Sequence, residues 1–169
     1  MTAEVLVLIA LPLLLGAAGA WDLASFTIPN FLNSILLALF VLFALASGLG
    51  LPAIGWHLLA GLVGLALGFA LFAFGFVGGG DAKLFAVTAL WLGFRDLLPY
   101  ILVASIAGGV LTLVTLVLRQ CPLPQFFLRQ AWIAKLHDAR SGIPYGVALA
   151  TGAFILLPST EIFRLAAAA

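Results

Sequence analysis

The chain has 169 residues, of which 65% are hydrophobic and 8% charged, and its mean hydropathy is +1.30. A soluble domain this small has too little interior to hide so much apolar surface, so the composition is that of a polytopic membrane protein. Seven Lys and Arg against six Asp and Glu leave a net charge of +1, which offers no basic face to nucleic acid, and the lone Cys121 excludes an internal disulfide and a cysteine-based zinc cluster.

The first apolar run, residues 5–21, is about 17 residues and just long enough to span a bilayer. Ala18-Gly19-Ala20 looks like a signal-peptidase site, but the preceding flank holds Glu4 and no Lys or Arg. Signal peptides open with positive charge, so a retained first helix is expected. Asp22 follows at once. Pro29 suits a first helical turn and cannot continue a helix from before it, so a second helix is expected over 31–46. A Gly- and Pro-rich turn comes next, followed by Trp56 and His57, a pair suited to a membrane interface. A third helix is expected over 53–76, with Gly61, Gly64 and Gly68 on a small-residue face fit for close packing.

Then comes Gly78-Gly79-Gly80-Asp81-Ala82-Lys83, a glycine turn carrying a carboxylate between two charge-free apolar stretches. A carboxylate at the edge of membrane-length segments is costly, which makes it a functional hypothesis by default. The plainer reading is that Asp81 caps the helix that follows. That fourth helix is expected over 82–94, short for a span and so either little tilted or set partly within the bundle, and a fifth over 97–118, with Gly108-Gly109 as another close-contact point. Residues 119–141 form the one long polar connection. On a helical wheel Phe127, Leu128, Ala131, Trp132, Leu136 and Ala139 share one face, and Arg129, Gln130, His137 and Arg140 the other. Lys135 and Asp138 fall inside the apolar arc, so the amphipathicity is imperfect; a helix lying on the membrane surface is expected, with a plain solvated loop as the alternative. A sixth helix over 143–158 and an unstructured tail over 160–169 complete the expectation: an all-α polytopic chain of about six transmembrane helices, 1–169 forming one integral-membrane domain.

Six spans would put both termini on one side. Arg119, Arg129, Lys135 and Arg140 fall in the loop between helices five and six, Lys83 shares its side, and Arg95 and Arg164 lie opposite. This split places the long loop in the cytoplasm and both termini outside. Asp22 then ends an inward-going helix and Asp81 begins an outward-going one, so the two carboxylates can meet at the cytoplasmic face. Two Asp held close together cannot both ionise cheaply, so one keeps a proton while the other stays charged. Aspartic proteases use that division: the charged partner activates water and the protonated one polarises the scissile carbonyl. The same pair could relay protons or bind a cation in a small ion-coupled transporter. Physics alone leaves protease and transporter even, and a non-catalytic membrane subunit of a secretion machine is a third reading.

Asp22 with Ile28-Pro29-Asn30 after it, then Gly78-Gly79-Gly80-Asp81-Ala82-Lys83-Leu84, then Gly142-Ile143-Pro144-Tyr145-Gly146, resembles the type IV prepilin peptidase family, membrane aspartic proteases of the G-x-G-D class. The resemblance implies Asp22 and Asp81 as the catalytic pair and Gly78 and Gly80 as the supporting turn. Pro29, Asn30, Lys83, Pro144, Tyr145 and Gly146 would be substrate-site or structural positions; Lys83 is expected to snorkel to the headgroups. No metal or cofactor is implied. The first aspartate at position 22 and the single cysteine are similar to the short, peptidase-only subclass of tight-adherence (Flp) pili, which lacks methyl transfer. The implied substrate is a prepilin or pseudopilin cut on the cytoplasmic side of a bacterial or archaeal plasma (inner) membrane, with membrane lipid around the protein and no nucleic-acid partner.

Overall fold

A computed structural model of the protein describes residues 5–168, so the Glu4 flank lies outside the described residues. Every regular element described is helical. Helix α1 (Leu6–Ser25) opens with a π-helical stretch over Leu6–Ala10. It is followed by α2 (Asn30–Ala46), α3 (Leu51–Ala73), α4 (Gly79–Leu92) and α5 (Phe94–Gln120). Two short helices, α6 (Gln125–Leu128) and α7 (Ala131–His137), precede α8 (Tyr145–Leu156), a 3₁₀ turn (Leu157–Ser159) and α9 (Glu161–Ala168).

Local chemistry explains the breaks. Phe26 turns left-handed (φ 59°) and donates its N–H to the Asp22 carbonyl at 2.7 Å, which stops α1. Pro29 is extended (ψ 139°) and caps α2, so the chain from 26 to 29 is a tight connection. Gly93, at φ 84°, separates α4 from α5, a conformation that side-chain-bearing residues avoid.

Helix α4 is the centre of the bundle. It packs on α2, α3, α5 and α8, and most of its side chains are buried. The small-residue face of α3 makes the tightest of these contacts: a Cβ at Gly64 would stand 2.9 Å from the Ala89 Cβ, and one at Gly68 2.9 Å from the Ala82 carbonyl oxygen. Across α2, the Trp91 indole N–H donates to the Leu36 carbonyl at 3.0 Å and its ring meets Phe40 edge-on at 5.4 Å. His57, expected as an interfacial hydrogen-bonding group, donates from Nδ1 to the Leu90 carbonyl at 2.8 Å.

Among the described residues three helices, α1, α3 and α5, are long and apolar enough to cross a membrane, and α8 with α9 makes a fourth if that pair, bent by 57°, counts as one span. The expected spans at α2 and α4 have only 17 and 14 residues. At about 1.5 Å per residue α4 covers roughly 21 Å, against a hydrocarbon core of about 30 Å. A helix enclosed by its neighbours meets protein rather than lipid over most of its surface, which is why α4 can be that short.

Two expectations are corrected. The tail forms a helix rather than an unstructured end, because Thr160 caps it and Ile162, only 2% exposed, packs inward near the start of α1. Ala169 lies outside the described residues. The 119–141 connection is two short helices broken at Arg129 and Gln130, not one surface helix, so a single wheel does not describe it. Its aromatic residues Phe126, Phe127 and Trp132 are nonetheless exposed.

Candidate active site

Asp22 stands on the last turn of α1 and Asp81 on the first turn of α4; they are 3% and 9% exposed. The Asp22 Oδ2 accepts the Gly146 N–H at 2.7 Å from the first turn of α8. The two carboxylates lie close enough for their charges to interact. Helices α1, α4 and α8 thus bring their ends to one point.

The Asp81 Oδ2 accepts the Gly78 N–H at 3.0 Å, the side-chain half of a capping box. The helix-capping reading of Asp81 therefore describes one of its oxygens. The other, Oδ1, is buried with no hydrogen-bond partner. A buried carboxylate oxygen left unpaired is costly, and sites kept in that condition are candidates for chemistry. Beside Asp81 lies a mostly apolar cavity of about 140 Å³ whose walls include Phe85, Ser105 and Tyr145.

The glycine turn has a steric reason. A Cβ on Gly80 would stand 3.1 to 3.2 Å from the Cβ, backbone N and backbone O of Ile28, and one on Gly78 3.0 Å from the Asp81 Oδ2. Of the remaining sequence candidates, Pro29 caps α2, and Asn30 accepts a hydrogen bond from the Lys83 Nζ at 2.8 Å. Lys83 lies on a different face of α4 from Asp81, beside a larger apolar cavity of about 440 Å³ shared with Asn30 and Asn33. Pro144 is buried and caps α8, Tyr145 lines the small cavity, and Gly146 touches Asp22.

The α6–α7 segment reaches this region as well. The Lys135 Nζ donates to the Ser25 carbonyl at 2.8 Å, lies 4.9 Å from the centre of the Phe26 ring, and is near enough to act on the Asp22 charge. Arg119 fixes the far end, donating to the carbonyls of Leu136, Ser141 and Gly142 at 2.9 to 3.0 Å. Sequence reasoning assigned neither residue a place at the site. The signal for Lys135 was its position within the apolar arc of the wheel, where a charge must turn toward the protein to find acceptors; nothing marked Arg119. Among the described residues no group of three His, Cys, Asp or Glu side chains is arranged to hold a metal ion.

Comparison with known families matches the type IV leader peptidase family over residues 9–113. The chain belongs to the type IV leader peptidase family. No curated protein and no solved structure matches it. The matched residues include Asp22, Ile28-Pro29-Asn30 and Gly78 to Lys83, and stop short of Pro144-Tyr145-Gly146, so the α8 contact with Asp22 is a contribution of the structure alone. Membership of a peptidase family makes the protein a protease, and its apolar helices make it a membrane protein.

Proposed function

We propose that the protein is a membrane-embedded aspartic endopeptidase that removes the leader peptide of type IV prepilins or pseudopilins, with Asp22 and Asp81 as its catalytic pair. One observation carries this reading: two buried carboxylates from distant parts of the chain lie within reach of each other's charge, and one Asp81 oxygen has no partner. In the step we assign to them, the ionised partner accepts a proton from water as that water attacks the scissile carbonyl carbon. The protonated partner gives its proton to the carbonyl oxygen. Collapse of the tetrahedral species breaks the C–N bond: the leaving amine takes up the proton held by the first carboxylate, and a hydroxyl of the gem-diol returns its proton to the second as the new carboxyl group forms.

The finer features belong to the same proposal. The charge distribution supports a site on the cytoplasmic side of the inner membrane, with both termini outside. Assignment to the Flp-type, peptidase-only subclass, without methyl transfer, rests on sequence resemblance.

Co-expression with a candidate prepilin tests the reading by the size shift of the substrate. Cleavage should occur with the wild-type protein and be lost with Asp22→Asn or Asp81→Asn. Normal processing by either variant, at equal protein levels, would overturn the two-carboxylate assignment.

A further inference from the structure

We infer that Gly146 is a positioning residue for the aspartate pair: its backbone N–H and its missing side chain together hold Asp22 against the first turn of α8, facing Asp81. The catalytic part of this inference rests on the protease reading; the contact itself does not.

The first amides of a helix have no partner within it and must find one elsewhere. At the start of α8, Pro144 has no N–H, the Tyr145 N–H goes to the Ile143 carbonyl at 2.9 Å, and the Val147 N–H goes to the Pro144 carbonyl at 3.2 Å. Gly146 alone among these sends its N–H out of the segment, 2.7 Å to the Asp22 Oδ2, a bond between residues 124 positions apart. The proline and the turn it makes consume the neighbouring donors locally and leave one aimed at the carboxylates.

Sterics point the same way. A Cβ at position 146 would stand 2.8 Å from the Ile28 Cδ1 and 2.9 Å from both the Cβ and the Oδ2 of Asp22. The Ile28 methyl is the end of a flexible side chain and can yield. The Asp22 carboxylate cannot move without giving up the 2.7 Å bond. Any residue but glycine at 146 therefore pushes Asp22 off this amide and out of its place beside Asp81. The Pro144-Tyr145-Gly146 segment thereby acquires a physical role, supplying the third wall of the site from α8.

The test uses the purified full chain in detergent with a prepilin-derived peptide, and reads kcat and KM separately. Gly146→Ala should lower kcat by about 10²-fold, the effect of displacing a catalytic group by about 1 Å, with KM changed less than about twofold. Gly152→Ala, on the same helix and also tight (its Cβ would meet Ala104 at 3.1 Å), should keep kcat. Adding Ile28→Val to Gly146→Ala removes the Ile28 Cδ1, and should recover thermal stability while kcat stays low. Unchanged kcat in Gly146→Ala, an equal loss in Gly152→Ala, or full kcat recovery by Ile28→Val would each overturn the inference. A substrate-free readout separates its failure from that of the protease reading. The Tm lost on Gly146→Ala should be smaller in an Asp22→Ala background, and strictly additive losses would sink the proposed contact even if the wild-type protein cleaved nothing.

Discussion

Lys83 donates a 2.8 Å hydrogen bond to the Asn30 Oδ1, joining α4 to the start of α2. The bond spans two sequence motifs separated by the whole of α3, and it sits just where Gly80 packs against the Ile28 backbone. The pair is solvent-exposed, so its worth is bounded by what exposed charged contacts deliver, about 0.2–1 kcal/mol. A double-mutant cycle of Lys83→Met and Asn30→Ala on unfolding free energy should return a coupling in that range. A coupling of several kcal/mol would mean that the contact is buried in the membrane.

Gly80 should be far less tolerant. In Gly80→Ala the new methyl meets the backbone N and O of Ile28 at 3.2 Å, and backbone in a tight connection cannot swing aside as a side chain does. The strain is relieved by moving the first turn of α4, which carries Asp81. We expect insertion and accumulation to survive while prepilin cleavage falls by about 10²-fold, the cost of roughly 1 Å of misplacement. Cleavage at the wild-type rate would show that the turn has slack.

The bond between Lys135 and the Ser25 carbonyl puts the α6–α7 segment on the same side of the bundle as the end of α1. In a Cys121→Ser background, single cysteines at Ser25 and Arg129 should therefore label from the same side of the membrane, expected to be the cytoplasmic one, and a cysteine at the exposed Ser159 from the opposite side. Labelling of Ser25 and Arg129 from opposite sides would contradict the fold as well as the proposed topology.

The tail offers a stability test. Ile162 is 2% exposed and its helix packs near the start of α1. Truncating a buried aliphatic side chain to Ala costs about 2–5 kcal/mol through lost transfer energy and the cavity left behind. Ile162→Ala should lower stability in denaturant titration by an amount in that range, whereas an unstructured tail would give no change.

How much of this was legible follows from which interactions are local. The glycine face of α3, the break at Pro29 and the turn before Asp81 are short-range patterns, and the structure contains each of them. The shortness of α4 was readable from its charge-free run, but how far its neighbours enclose it was not, because hydropathy registers apolar surroundings without telling lipid from neighbouring helices. The tail was misread because its burial depends on Ile162 meeting α1 from the other end of the chain. Lys135 left a trace as a flaw in an amphipathic pattern. Gly146 was marked only by the resemblance of its segment, without a role, since a backbone amide has no sequence signature and its partner lies 124 positions away.

The two carboxylates themselves give the sharpest expectation. Asparagine at 22 or 81 keeps the size and a hydrogen-bonding end, and its carbonyl oxygen can still accept the 2.7 Å Gly146 bond at 22 or the 3.0 Å Gly78 bond at 81. It can neither take a proton from water nor share one with its partner. General acid–base assistance contributes about 10²–10⁴ in rate, so each single variant should fall by that order while folding and inserting normally. The double variant should be hardly worse than either single one, because groups that act as a unit lose their joint function once. Glutamate should fail too, as its extra methylene carries the carboxylate about 1 Å past the position set by the amide of Gly146 or Gly78, worth about 10²-fold. Measuring kcat for Asp22→Asn, Asp81→Asn, the double variant and both glutamate variants against one peptide decides the matter. Multiplicative losses in the double variant would show two independent roles, and normal cleavage by Asp22→Asn would reduce Asp22 to a helix-end residue held by α8.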